Sequence, residues 1–220
     1  MRIKVCGITR LEDARAAVAA GTDAIGFIFQ VRSPRYIGPG QARVIIEQLP
    51  PFVATVGVFV DKKRSEVEEI IRYCRLGYAQ LHGKESPKYC DRLFRSATPC
   101  QVIKAFRVGP HSAPADFDPY LPFVQAFLLD TFDPELAGGT GRSFDWSAVA
   151  RLRLRKPYIL AGGLNSTNID SALEMLAPVG VDVNSGVESS PGIKDARMIG
   201  EFVACVRRHG ETATVPVSGQ

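Results

Sequence analysis

Eight short runs rich in β-branched and aromatic residues recur along this chain, each parted from the next by a longer stretch, and no other feature restricts the fold so sharply. The runs are IKVCGI, AIGFIF, VATVGVFV, YAQLHG, QVIKAFRV, FVQAFLLD, YILAGG and VDVNSG. Between them lie amphipathic segments with helical spacing: LEDARAAVAAG, GQARVIIEQLP, SEVEEIIRYC, SPKYCDRLF, STNIDSALEML and DARMIGEFVACVRR. Several are opened by Ser, Thr or Asp, and one is closed by Gly21. Strand and helix in strict alternation imply an α/β fold with a parallel sheet, and eight repeats imply a single (β/α)8 TIM barrel with a parallel eight-stranded core. A length of 220 residues suits one such domain. The barrel is expected over residues 1–208. The remainder, 209–220, has no periodic apolar face and is expected to be a flexible tail. The fifth and sixth helices are the weak positions, because GPHSAPADFDPY is proline-rich and FDWSAVARL is brief.

Composition narrows the function classes. With 45% hydrophobic and 23% charged residues the chain can bury a full core. No run is long and apolar enough to span a bilayer, and Lys4, Arg10, Glu12 and Asp13 interrupt any amino-terminal apolar region, so no membrane association is expected and the location is read as cytoplasmic. Five scattered cysteines without a CxxC pair suggest reduced thiols, with neither a disulfide framework nor a metal site. The net charge of +4 is modest, and the basic cluster RLRLRKP lacks interleaved aromatics, so it reads as a solvated helix end and nucleic acid is not expected as a partner.

In a barrel the chemistry belongs at the carboxyl ends of the strands, and the two-residue alternation of a strand decides which side chains reach the interior. If Ile3 and Val5 face the helices, Lys4 and Cys6 point inward. By the same reading the fourth run sends Gln80 and His82 inward, the fifth offers Lys104, the sixth ends in Asp130, and the eighth sends Asp182 and Asn184 inward. Buried polar groups are costly unless satisfied, so their convergence on one mouth reads as a site.

Cys6 ends a strand, shares a face with Lys4 and precedes Gly7, whereas Cys74, Cys90, Cys100 and Cys205 read as small core hydrophobes. A nearby cation such as Lys4 is expected to lower the pKa of Cys6 and favour the thiolate, the form able to take a proton. Asp130 closes an apolar run, where a carboxylate is expensive without a task; a loop-anchoring role is the alternative. A base and an acid across a barrel mouth form a pair suited to isomerase chemistry. AGGLNSTN and NSGVESSPG follow the seventh and eighth runs, where barrels bind phosphate through backbone N–H groups. AGGTGRSFDW, after Asp130, reads either as a substrate-covering loop or as an ordinary connection. Arg35 of SPRY has a planar fork suited to a carboxylate, although a solvated loop arginine fits equally. For His82 a catalytic role and a hydrogen-bonded structural role both fit.

KVCGITRLEDARAA, AIGFIFQVRSPRYI, VGVFV, QLHGKESPKYC, LLDTFDPELAGGTGRSFDW, ILAGGLNSTNI and VDVNSGVESSPGIKD together resemble, in order, the blocks of the phosphoribosylanthranilate isomerase family, from Lys4 to about Arg208. The resemblance implies a barrel that carries out an Amadori rearrangement of a phosphorylated aminoaldose, without a cofactor, in tryptophan biosynthesis. It implies Cys6 as general base, Asp130 as general acid and Arg35 as the contact for the anthranilate carboxylate. The phosphate is then expected at Gly162, Gly163, Ser185 and Gly186, with Asp182 lining the site; His82, by its inward parity, joins the substrate contacts. Asn184 stands where many relatives carry serine, and HSAPADFDPY has no close counterpart. Three rivals are weighed against this reading. An indole-glycerol-phosphate synthase would depend on lysine and glutamate acids at the mouth. A barrel that only senses a phosphorylated metabolite needs no matched base and acid. A broadened isomerase for a substrate with two phosphates is disfavoured by the lone Arg35 and the single phosphate cradle.

Overall fold

The structure, a computed structural model, describes residues 1–96, 98, 100–130 and 146–212. Eight parallel strands close into a barrel in sequence order. They are β1 (Arg2–Val5), β2 (Ala24–Ile28), β3 (Ala54–Phe59), β4 (Tyr78–Leu81), β5 (Gln101–Arg107), β6 (Ala126–Asp130), β7 (Tyr158–Ala161) and β8 (Gly180–Val183). Pairing of β1 with β8 sets Lys4 opposite Asp182, which closes the sheet and juxtaposes two charged side chains inside it.

Among the described residues seven helices fill the connections: α1 (Leu11–Ala19), α2 (Pro39–Ile46), α3 (Arg64–Cys74), α4 (Pro87–Phe94), α5 (Ser147–Arg151), α6 (Ile169–Met175) and α7 (Ala196–Thr212). Local chemistry explains their ends. Pro87 occupies the first turn of α4, and Ser86 Oγ accepts from the Tyr89 N–H at 3.2 Å. Asp195 Oδ1 accepts from the N–H groups of Arg197 and Met198 at the start of α7. Gly21, with φ 89°, turns the chain out of α1. The two weak positions behave as their composition suggests. Between β5 and β6 stand only two 3-10 turns, Pro114–Asp116 and Asp118–Tyr120, and α5 has five residues. Helix α7 continues to Thr212, past the expected boundary at 208; residues 213–220 lie outside the described residues.

The core divides into two zones. The larger lies between sheet and helices and includes Ile3, Val5, Phe27, Phe59, Leu81, Phe127 and Val181. Inside the barrel a small apolar cluster of Ile103, Ala105, Leu128 and Ala161 fills the β5–β7 side. This placement corrects the expected parity of β5. Ile103 and Ala105 point inward, so Lys104 points outward, opposite Leu81 on β4. There Lys104 Nζ donates to the carbonyls of Leu81, Gly83 and Ala105 and to Glu85 Oε2, which satisfies a buried ammonium away from the site. The run QVIKAFRV alternates apolar residues on both faces, so its own pattern does not set its register. No helix among the described residues is long and apolar enough to cross a membrane.

Candidate active site

Cys6 stands just past β1, its N–H bonded to the Val183 carbonyl at 2.9 Å, so the strand's register continues one residue beyond its end. Its side chain enters the barrel because Gly26 on β2 leaves room. A Cβ at position 26 would lie 2.8 Å from Cys6 Sγ and 2.9 Å from Lys4 Cε. Gly7 then bends the chain at φ 75°, and a Cβ there would meet Asn184 Oδ1 at 2.7 Å and Arg35 Cδ at 2.9 Å. Glycine at 7 therefore lets the Arg35 side chain and the end of β8 close over the thiol.

These groups share a cavity of about 470 Å³ at the carboxyl ends of the strands. Of the expected site residues, Cys6, Arg35, His82, Asp130, Gly162, Gly163, Asp182 and Ser185 all line it. Gly186 does not. It packs beneath, where a Cβ would lie 1.9 Å from the Leu164 carbonyl oxygen, so this glycine joins the loop after β8 to the loop after β7. A second hollow of about 500 Å³ lies at the opposite end, among Arg2, Tyr78, Ile103 and Ile159, and neither Cys6 nor Asp130 reaches it.

The electrostatics at Cys6 differ from the expectation. Burial pushes the Cys6 thiol up from its ordinary value, and the opposing pull of Lys4 and Lys194 does not overcome it. Lys4 is itself committed: its ammonium donates to Asp182 Oδ2 at 2.7 Å, and both side chains are buried. A cation already paired with a carboxylate stabilises a neighbouring thiolate less. Burial works against the Lys4 ammonium, yet Asp182 and Cys6 outweigh it and hold its pKa above the usual lysine value. The other carboxylate oxygen, Asp182 Oδ1, is buried and has no hydrogen-bond partner among the described residues, so it remains an acceptor within a site-lining side chain.

On the far side, His82 Nε2 lies 3.1 Å from Asp130 Oδ2 and Nδ1 lies 3.0 Å from Gln80 Nε2. With the Gln80 amide donating to Nδ1, the imidazole hydrogen sits on Nε2 and donates to Asp130. His82 thus orients the carboxylate as well as lining the cavity. The segment 131–145, which holds nearly all of the expected covering loop, lies outside the described residues.

The loop after β7 turns through two left-handed glycines, Gly162 at φ 90° and Gly163 at φ 66°, a path that residues with a Cβ rarely follow. The Gly163 carbonyl accepts from Asn168 Nδ2 at 2.9 Å, which ties the loop to the start of α6. The loop after β8 holds a 3-10 turn, Ser185–Val187, and then a hairpin of β9 (Glu188–Ser190) and β10 (Ile193–Lys194). Sequence reasoning missed this hairpin's part. Glu188 accepts from Arg35 Nε and Nη2, and Lys194 Nζ donates to Glu188 Oε1 at 2.8 Å. Arg35 is therefore no solvated loop cation. The signal available was only NSGVESSPGIKD, which reads as a phosphate loop because its glycines dominate the pattern.

Among the described residues no group of three or more His, Cys, Asp or Glu side chains is placed to hold a metal ion. Residues 3–205 match the family described as N-(5'-phosphoribosyl)anthranilate (PRA) isomerase. A protein of that name from Geobacter sulfurreducens is 48% identical over 204 residues, covering 92% of this chain and 97% of its own. The crystal structure of phosphoribosyl anthranilate isomerase from Thermus thermophilus superposes with a TM-score of 0.83 at 39% identity, over 94% of this chain and 99% of that one. A phosphoribosyl anthranilate isomerase solved with reduced 1-(o-carboxyphenylamino)-1-deoxyribulose 5-phosphate is 40% identical, with a TM-score of 0.76 over 94% and 99% of the two chains.

Proposed function

The chain belongs to the N-(5'-phosphoribosyl)anthranilate isomerase family, and from that premise we propose that its barrel mouth converts N-(5'-phosphoribosyl)anthranilate to 1-(2-carboxyphenylamino)-1-deoxyribulose 5-phosphate with Cys6 as base and Asp130 as acid. The observation that carries the assignment is the placement of a thiol and a carboxylate in one cavity that also includes two glycine-bearing loops.

Each step has a residue suited to it. Asp130 gives a proton to the furanose ring oxygen, the C1–O bond breaks, and the nitrogen lone pair forms the open-chain Schiff base. Cys6 then takes the proton from C2, and the electron pair moves to give the enolamine, which tautomerises to the ketone. Proton exchange with solvent resets the pair. His82, 3.1 Å from Asp130 and steadied by Gln80, holds the acid in place and borders the substrate. Asp182 Oδ1 is free to accept a sugar hydroxyl while Oδ2 remains on Lys4. The phosphate is assigned to the backbone of Gly162, Gly163 and Ser185, where the absence of a side chain at the two glycines allows close approach. Gly186 serves the cradle indirectly, by letting its two loops touch. Arg35 faces the anthranilate carboxylate.

The direct test follows the fluorescence of phosphoribosylanthranilate on addition of purified protein. Decay to the ketone product at a rate proportional to protein concentration is expected. Decay no faster than the uncatalysed background would refute the assignment.

A further inference from the structure

Arg35 reaches the cavity with half of its guanidinium already used. Nε donates to Glu188 Oε1 and Oε2 at 2.9 and 3.1 Å, and Nη2 donates to Oε2 at 2.7 Å, a side-on bidentate pair. Among the described residues Nη1 has no partner, so the outer edge formed by Nη1 and the second hydrogen of Nη2 remains. Arg35 lines the cavity and Glu188 does not, which puts the used edge on the protein side.

Glu188 is held in turn. Its Oε1 accepts from Lys194 Nζ at 2.8 Å and from the Gly192 N–H at 3.3 Å, and its side chain is only 4% exposed. Lys194, fully buried, also donates to the Asn184 carbonyl and to Asn184 Oδ1. The hairpin that carries both residues is anchored on the first two loops of the mouth. Thr9 Oγ1 donates to the Gly192 carbonyl at 2.6 Å, and a Cβ at Gly192 would lie 3.2 Å from the Pro34 carbonyl oxygen. The pair with Arg35 and Lys194 holds the Glu188 carboxyl below its usual range against the opposing effect of burial.

We propose that Glu188 is a positioning residue for substrate recognition: fixed by Lys194, it holds Arg35 so that the outer guanidinium edge presents two parallel N–H donors to the anthranilate carboxylate. The inference rests on the assignment of Arg35 to that carboxylate. A guanidinium offers two coplanar two-donor edges and can serve two carboxylates bidentately at once, whereas an ammonium has no such edge. Glu188 acts here at some electrostatic cost, since its charge offsets that of Arg35; the gain is orientation fixed before substrate arrives.

Steady-state kinetics on Arg35→Ala, Glu188→Gln and the double variant test the idea, with thermal melts to verify folding. Glu188→Gln should raise KM about tenfold with kcat little changed, and should change KM less than about twofold once Arg35 is alanine. An unchanged KM in Glu188→Gln, with KM raised in Arg35→Ala, would overturn the positioning role and leave the Arg35 assignment standing. An equal rise in both backgrounds would also overturn it, because Glu188 would then act on the loops at large. An unchanged KM in Arg35→Ala would remove the Arg35 assignment and the inference together. If Glu188→Gln does not fold, Glu188→Asp, which keeps the charge but is too short for the bidentate pair, goes through the same cycle with the same expected pattern.

Discussion

Burial sets the chemistry of individual thiols in this protein, and it does so at Cys6 as elsewhere. It pushes Cys90 and Cys100 each up to about 12, and it raises Cys6 as well, against Lys4. Acidity therefore does not single out Cys6; its place in the cavity does. The sign of the pH effect follows. A raised pKa means less thiolate at neutrality, so alkylation of Cys6, read as the difference between the parent and Cys6→Ser, should still be accelerating above the reference thiol value of about 8.5. Alkylation rates measured from about pH 6 to 10 check this, and a plateau already reached at about pH 7 would contradict it. Cys6→Ser should lower turnover at least about a hundredfold, since a serine hydroxyl does not ionise in this range, and Asp130→Asn should lose a comparable factor. Melting curves for both variants separate lost chemistry from lost fold, and turnover within a few fold of the parent in either would remove that residue from its role.

At the level of elements, the mouth is built by loops that fit only because certain positions lack a side chain. Gly186 lies against the Leu164 carbonyl, a backbone atom that cannot swing aside. Gly186→Ala should force apart the loops after β7 and β8, raise KM about tenfold through the phosphate and cost roughly 1–3 kcal/mol of stability, the usual range for overpacking. The check is KM together with the melting temperature. A KM unchanged beside a lowered melting temperature would show that loop contact matters to folding alone.

Across the whole molecule, closure depends on joining the first strand to the last helix. Asp23 does this with both oxygens, accepting from Arg2 Nη1, the Ile3 N–H and Arg207 Nη2. Burial raises its pKa, but Arg2, Ile3 and Arg207 prevail and hold it below the usual value. A depressed carboxyl pKa adds stability that is present above the unfolded value of about 3.9 and is lost as pH falls through the folded one. Asp23→Asn should thus lower stability near neutrality by about 1 kcal/mol, after discounting the exposed arginines, or roughly 2–4 °C in melting temperature. The difference from the parent should shrink as pH falls below the unfolded value and through the folded one. Equal melting temperatures at pH 7 would show that the seam does not need this charge.

The sequence alone determined the barrel, because eight apolar runs at helical intervals have few other ways to bury their faces. It also determined which side chains gather at the mouth, since strand alternation carries Cys6, His82, Asp130 and Asp182 there whatever the neighbours are. Tertiary structure decided what depends on partners distant in the chain. The outward turn of Lys104 was set by Glu85 and by cross-strand register, because both faces of β5 offer apolar residues. The direction of the Cys6 shift was a balance between burial and a lysine already claimed by Asp182, which no spacing reveals. The grip of Glu188 on Arg35 joins residues that only the folded barrel brings together, through a hairpin too short for a periodic pattern to announce it.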